Sequence, residues 1–153
     1  MRAIIQRVSE ASVKTEKKLA TIGKGFLVFV AAEKDDTPKD AEYLAGKIAN
    51  LRIMADTEGK MNLPPKDVGG AILVVSQFTL FARTRKGNRP SFIDAAEPKT
   101  ARKLYIQFID LLKQEGLRVE TGSFGEYMLV SLINDGPVTI IIDSQDQKKP
   151  RNG

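Results

Sequence analysis

The 153-residue chain has no cysteine, no histidine and no tryptophan. Without cysteine there is no disulfide and no thiolate nucleophile, and nothing ties the chain to an oxidising compartment. Without histidine there is no imidazole general base, no Ser-His-Asp triad and none of the common zinc ligand sets. No carboxylates fall at calcium-loop spacing and no glycine-rich phosphate loop occurs, so neither a metal nor a cofactor is expected. No apolar run approaches the ~20 residues that a membrane-spanning helix needs. Met1–Arg7 lacks the apolar stretch and small-residue cleavage site of a signal peptide, so a cytoplasmic protein is expected. Any chemistry must come from hydroxyls, amides, carboxylates, lysine, arginine, tyrosine, backbone groups or the substrate itself.

Hydrophobic residues make up 42% of the chain, enough for one sizeable core. Lysine plus arginine outnumber the acids 24 to 19, for a net charge of +5. A polyanionic partner and a merely basic surface are both compatible with that excess. Part of it sits in Lys148-Lys149-Pro150-Arg151.

The patterning predicts a strand over 1–15, a return strand over 19–22 after a turn at Lys17-Lys18, and a continuous apolar strand over 25–32. Thr37 as N-cap, Pro38 and Asp40 open a helix with Ala41, Leu44, Ala45, Ile48 and Leu51 on one face. A short strand over 51–54 leads to a hairpin turn at 56–60, and 71–75 reads as a buried central strand. A second helix spans about Pro98 to Gln114, with Leu104, Phe108, Leu111 and Leu112 inward and Gly116 ending it. Two last strands, 127–133 and 138–143, flank Asn134-Asp135-Gly136-Pro137, and 144–153 reads as a flexible polar tail. The expectation is one α+β domain over 1–143, with mostly antiparallel sheets curling toward a barrel and two main helices.

Three segments carry candidate chemistry. Ser76-Gln77-Phe78-Thr79 follows the central strand, where hydroxyls, an amide and free N–H groups can bind a carbonyl oxygen or developing oxyanion, or simply tie off the strand end. Strand alternation would send Ser76 and Phe78 one way and Gln77 and Thr79 the other. Asn134 to Pro137 suits either a tight hairpin turn or a rigid backbone wall against a ligand. Only ~5–6% of X-Pro bonds are cis, so trans is the default for Gly136–Pro137. Arg83 to Phe92 holds four cations and an aromatic, and Gly122-Ser123-Phe124-Gly125 offers a second exposed aromatic, which suits either nucleic-acid contacts or a solvated loop.

Taken together, Ser76-Gln77-Phe78-Thr79-Leu80, Asn134-Asp135-Gly136-Pro137-Val138-Thr139, Lys86-Gly87-Asn88-Arg89-Pro90-Ser91-Phe92 and Gly122 to Met128 resemble the D-aminoacyl-tRNA deacylases, also called D-tyrosyl-tRNA deacylases. The resemblance runs from Met1 to Ile142. It implies hydrolysis of the ester joining a D-amino acid to the terminal adenosine of tRNA, and of glycine mischarged on tRNA-Ala, by a homodimer with its site at the interface. Gly136 and Pro137, in cis, would reject L side chains, and Arg7 would brace their carbonyls. Ser76, Gln77, Phe78 and Thr79 would be the catalytic set, with Lys86, Arg89, Phe92 and Phe124 contacting tRNA. Of two routes, Thr79 as nucleophile or a substrate-assisted reaction in which the terminal ribose 2′-OH handles the proton, the second fits better a chain with no histidine to activate the threonine. Two other functions remain alternatives: a nucleic-acid-binding module without hydrolysis, and a hydrolase for another small ester.

Overall fold

The structure, a computed structural model, describes residues 1–151. Among the described residues eight strands are formed: β1 (Arg2–Lys14), β2 (Leu19–Ile22), β3 (Gly25–Ala31), β4 (Met54–Ala55), β5 (Met61–Leu63), β6 (Ala71–Ser76), β7 (Arg118–Thr121) and β8 (Leu129–Asp143). There are two helices, α1 (Pro38–Ala49) and α2 (Pro98–Gln114). The main sheet runs β2-β1-β3-β6-β7, with β8 on the other edge of β1. It is mixed and nearly closes into a barrel. β1 is antiparallel to β2, β3 and β8, whereas β6 is parallel to both β3 and β7. The parallel centre follows from the crossovers, since α1 joins β3 to β6 and α2 joins β6 to β7.

Hydrophobic spacing explains the layers. Successive residues of a strand face opposite ways, and β3 and β6 are buried on both sides. Phe26, Val28, Val30, Ile72 and Val74 pack on α1 and α2 in one core. Leu27, Leu73 and Val75 turn inward with Val8, Val13 and Ile22 into a second core. Gly25 and Ala71 start β3 and β6 side by side, and a Cβ on Gly25 would collide with the Ala71 carbonyl oxygen. α1 opens with a Thr37/Asp40 capping box. α2 buries Leu104, Tyr105, Phe108, Ile109 and Leu112, and Gly116 at φ +84° follows its end.

Three expectations change. β8 is one strand, not two strands joined by a hairpin: both halves pair with β1, from Leu129 opposite Lys14 to Asp143 opposite Arg2. Asn134 to Val138 is therefore a bulged loop within β8, opposite Arg7. β7, with Val119 as its one large apolar residue, had no readable pattern. The expected tail is tied down at its start, because Ser144–Lys148 is a 3-10 turn and the Ser144 side chain is buried. The Met1 ammonium donates to Ser144 Oγ at 2.5 Å and pairs with Asp36 at 2.6 Å, while Ser144 Oγ donates to Asp40 Oδ1 at 2.7 Å. Burial pushes the Asp40 carboxyl up, but the Ser144 and Thr37 hydrogen bonds and the ammonium outweigh it and leave the carboxyl below its ordinary range. Residues 152 and 153 of the expected tail lie outside the described residues.

Candidate active site

β6 ends at Ser76, and Phe78–Phe81 then turns into a short 3-10 helix. Alternation stops there, so Ser76, Gln77 and Phe78 all line one cavity of about 710 Å³. That volume suits a nucleoside-sized ligand. Thr79 is exposed beside it, and Gln77 Nε2 donates to Thr79 Oγ1 at 2.6 Å. The first N–H groups of a 3-10 turn have no acceptor within the turn, which leaves the Phe78 and Thr79 amides at its start.

The cavity walls are aromatic. Phe78 and Phe92 meet edge to face with centroids 5.1 Å apart, and Tyr105 and Phe124 are 5.5 Å apart. Phe124 is partly buried against the core, not the exposed platform expected from its flanking glycines. The exposed aromatic of that segment is Tyr127, at 84%. Tyr105, on α2, was not singled out by the sequence pattern. Its hydroxyl donates to the Val74 carbonyl at 3.4 Å, and burial pushes its pKa up to about 12. It stays protonated near neutral pH and is no general base.

The turn is held from behind. Arg2 NH1 donates to the Leu80 carbonyl at 2.9 Å, and its guanidinium lies 4.6 Å from the Phe81 ring centroid. Asp143 fixes that guanidinium through Nε at 3.0 Å and NH2 at 2.9 Å. Nothing in the sequence pattern singled out Arg2, because its partners are 78 and 141 residues away.

Arg7, Gly136 and Pro137 are not among the residues lining this cavity. The Gly136–Pro137 bond is cis. Asn134 closes the loop around it: its Oδ1 accepts from Val138 N and its Nδ2 donates to the Val138 carbonyl, both at 3.0 Å. Arg7 donates to the Asp135 carbonyl and to the Ile53 carbonyl, each at 2.8 Å. The carbonyls it braces are thus not those of Gly136 and Pro137, as expected, but one on the loop and one before β4. Pro137 is exposed, and the loop stands on a strand whose other edge has no partner among the described residues. Leu129, Ile133 and Ile141 on β8 are 56%, 53% and 68% exposed.

Arg83 and Ser91 pair across the base of the basic loop, and Arg83 also pairs with Asp94. Lys86 and Arg89 stand exposed at the tip, and Phe92 returns to the cavity wall. Among the described residues no cluster of carboxylates could hold a metal ion, and no helix is long and apolar enough to cross a membrane.

Residues 4–143 match the family model described as D-Tyr-tRNA(Tyr) deacylase. A protein from Thermotoga petrophila named D-aminoacyl-tRNA deacylase is 55% identical over 94% of this chain and 97% of its own length. A solved structure titled c-Myc DNA Unwinding Element Binding Protein superposes with a TM-score of 0.86 at 38% identity, covering 94% of this chain and 98% of the other. A structure described as a probable eukaryotic D-amino acid tRNA deacylase shares the fold, with a TM-score of 0.81 at 17% identity over 93% of this chain and 98% of that one.

Proposed function

Because this chain belongs to the D-Tyr-tRNA(Tyr) deacylase family and is a D-aminoacyl-tRNA deacylase acting on aminoacyl-tRNA, we propose that its site is completed by a second copy. The observation that carries this is the split of the motif residues. Ser76 to Phe78 line the cavity, whereas Gly136 and Pro137 project from β8 outside it. Tyr127, Met128 and Val130, where the chain enters β8, line the cavity, and the exposed Leu129, Ile133 and Ile141 lie along the same strand. An apolar row on an unpaired edge favours pairing with another chain. A symmetric pair of copies would bring the loop of one beside the cavity of the other.

In that arrangement the terminal adenosine lies against Phe78 and Phe92, and Phe124 lies deeper in the cavity wall. Lys86 and Arg89 reach toward the tRNA backbone. Ser76, Gln77 and the Phe78 and Thr79 amides hold the ester and its developing oxyanion. The partner's loop backbone stands where an L side chain would project. Selection is then by exclusion, which tolerates many D side chains and admits glycine, including glycine mischarged on tRNA-Ala. The terminal 2′-OH handles the proton, since Thr79 Oγ1 faces an amide and not a base. The absence of cysteine fits a cytoplasmic enzyme.

Deacylation of matched D-Tyr-tRNA and L-Tyr-tRNA at equal enzyme tests this reading. Rapid loss of the D ester with the L ester spared is expected. Equal loss of both would overturn the exclusion argument. Loss of neither, with tRNA still bound, would favour a nucleic-acid-binding module.

A further inference from the structure

Residues 83–103 contain seven cations (Arg83, Arg85, Lys86, Arg89, Lys99, Arg102 and Lys103) and two acids (Asp94 and Glu97). Their net charge of +5 equals that of the whole chain, so the other 132 residues carry 17 charges of each sign and sum to zero. This same segment forms one wall of the cavity through Phe92, Ile93, Ala96, Pro98 and Ala101. A net charge equal to that of the whole chain is therefore gathered at the rim of the proposed site.

It has two parts. One is the loop tip with Arg85, Lys86 and Arg89. The other lies on α2, where Lys99, Arg102 and Lys103 are exposed. Pro98 and Ala101 face the cavity, and the residue after each, Lys99 and Arg102, sits ~100° further round the helix. Lys103 and the exposed Ile106 extend that stripe, and Asp110 closes it one turn on. Among the described residues none of these six cations forms an ion pair. Holding them close together without partners costs self-repulsion, which a polyanion relieves.

From this we infer that the Lys99-Arg102-Lys103 face of α2 is a docking surface for the phosphate backbone of the double-stranded acceptor stem. The inference rests on the deacylase reading of the cavity. The stripe carries cations and no aromatic, whereas the aromatics Phe78, Phe92 and Phe124 all lie at the cavity. Stacking platforms hold unpaired bases, and cations alone hold backbone. Lys99 to Lys103 spans ~6 Å of helix, which reaches about two successive phosphates of one strand. The unpaired end would enter the cavity while the duplex behind it lies along the helix.

The test is the triple variant Lys99→Gln, Arg102→Gln, Lys103→Gln, with glutamine chosen because it keeps helix propensity. Three quantities are read: the salt dependence of binding to uncharged tRNA, kcat/KM on D-Tyr-tRNA, and hydrolysis of the D-tyrosyl ester of adenosine, which has no stem. The log–log salt slope should shrink by about 2, because each of the two lost duplex phosphate contacts removes ~0.9. At low salt kcat/KM on the tRNA should fall about tenfold or more, while the adenosine ester is hydrolysed at the wild-type rate. The charge-preserving variant Lys99→Arg, Arg102→Lys, Lys103→Arg should behave as wild type. An unchanged salt slope, an equal loss on both esters, or an equal loss in the charge-preserving variant would overturn the inference. Failure of the deacylase reading looks different: wild-type protein that binds tRNA and hydrolyses neither ester.

Discussion

Gly136→Ala is expected to reduce the ratio of D-ester to L-ester hydrolysis by at least about 100-fold, equivalent to ~2.7 kcal/mol of discrimination. A Cβ at position 136 would collide with the Val138 backbone nitrogen and come within 2.7 Å of Val138 Cγ2. Val138 cannot yield independently, because its N–H and carbonyl are both tied to the Asn134 side chain. The whole loop from Asn134 to Val138 must therefore shift, and with it the backbone proposed to exclude L side chains. The cost to stability should stay within about 1–3 kcal/mol, as for other overpacked sites, so the fold survives and the selectivity can be read. Gly46→Ala is the control, since nothing lies within 4 Å of a Cβ there. Single-turnover deacylation of both esters checks the result, and an unchanged ratio in a folded Gly136→Ala protein would remove the loop from selection.

A tRNA ending in 2′-deoxyadenosine, with the D-amino acid on its 3′-OH, is expected to be hydrolysed about 10²–10⁴ times more slowly, the usual worth of a positioned proton carrier. Thr79→Ala should by contrast keep at least about a third of wild-type activity on the normal ester. The contrast follows from the geometry. A threonine nucleophile needs a base on its hydroxyl. Here the chain has no histidine, Thr79 Oγ1 accepts a hydrogen bond from the Gln77 amide, and Tyr105 holds its proton up to about pH 12. Deleting a true nucleophile commonly costs ~10⁶ in rate. A loss of that size in folded Thr79→Ala, or full activity on the deoxy substrate, would restore the nucleophilic route.

Much of this molecule was legible in its sequence, for local reasons. α2 spans Pro98–Gln114, as its period and flanking proline and glycine predict, and α1 starts at the proline after Thr37. The apolar runs of β3 and β6 are buried on both faces. The turn after Ser76 and the loop at Asn134 stood out because polar residues interrupt apolar ones. What stayed hidden is non-local. A hairpin and a bulge use the same Asn-Asp-Gly-Pro letters, and only the shared partner β1 tells them apart. Arg2 and Arg7 act through backbone groups that the sequence does not place beside them. The split between cavity and loop is likewise a property of the folded chain.

That split makes subunit pairing the point on which the proposed mechanism turns. The direct measurement is deacylation of D-Tyr-tRNA by Ile133→Asp, Ile141→Asp protein, with its mass in solution determined by sedimentation equilibrium. Both residues are more than half exposed, so the substitutions spare the core. The wild-type chain should sediment as a dimer, and the variant should be a folded monomer with at least about a hundredfold less activity, ~2.7 kcal/mol. A monomer that hydrolyses the D ester at the wild-type rate and still spares the L ester would contradict a site built from two copies.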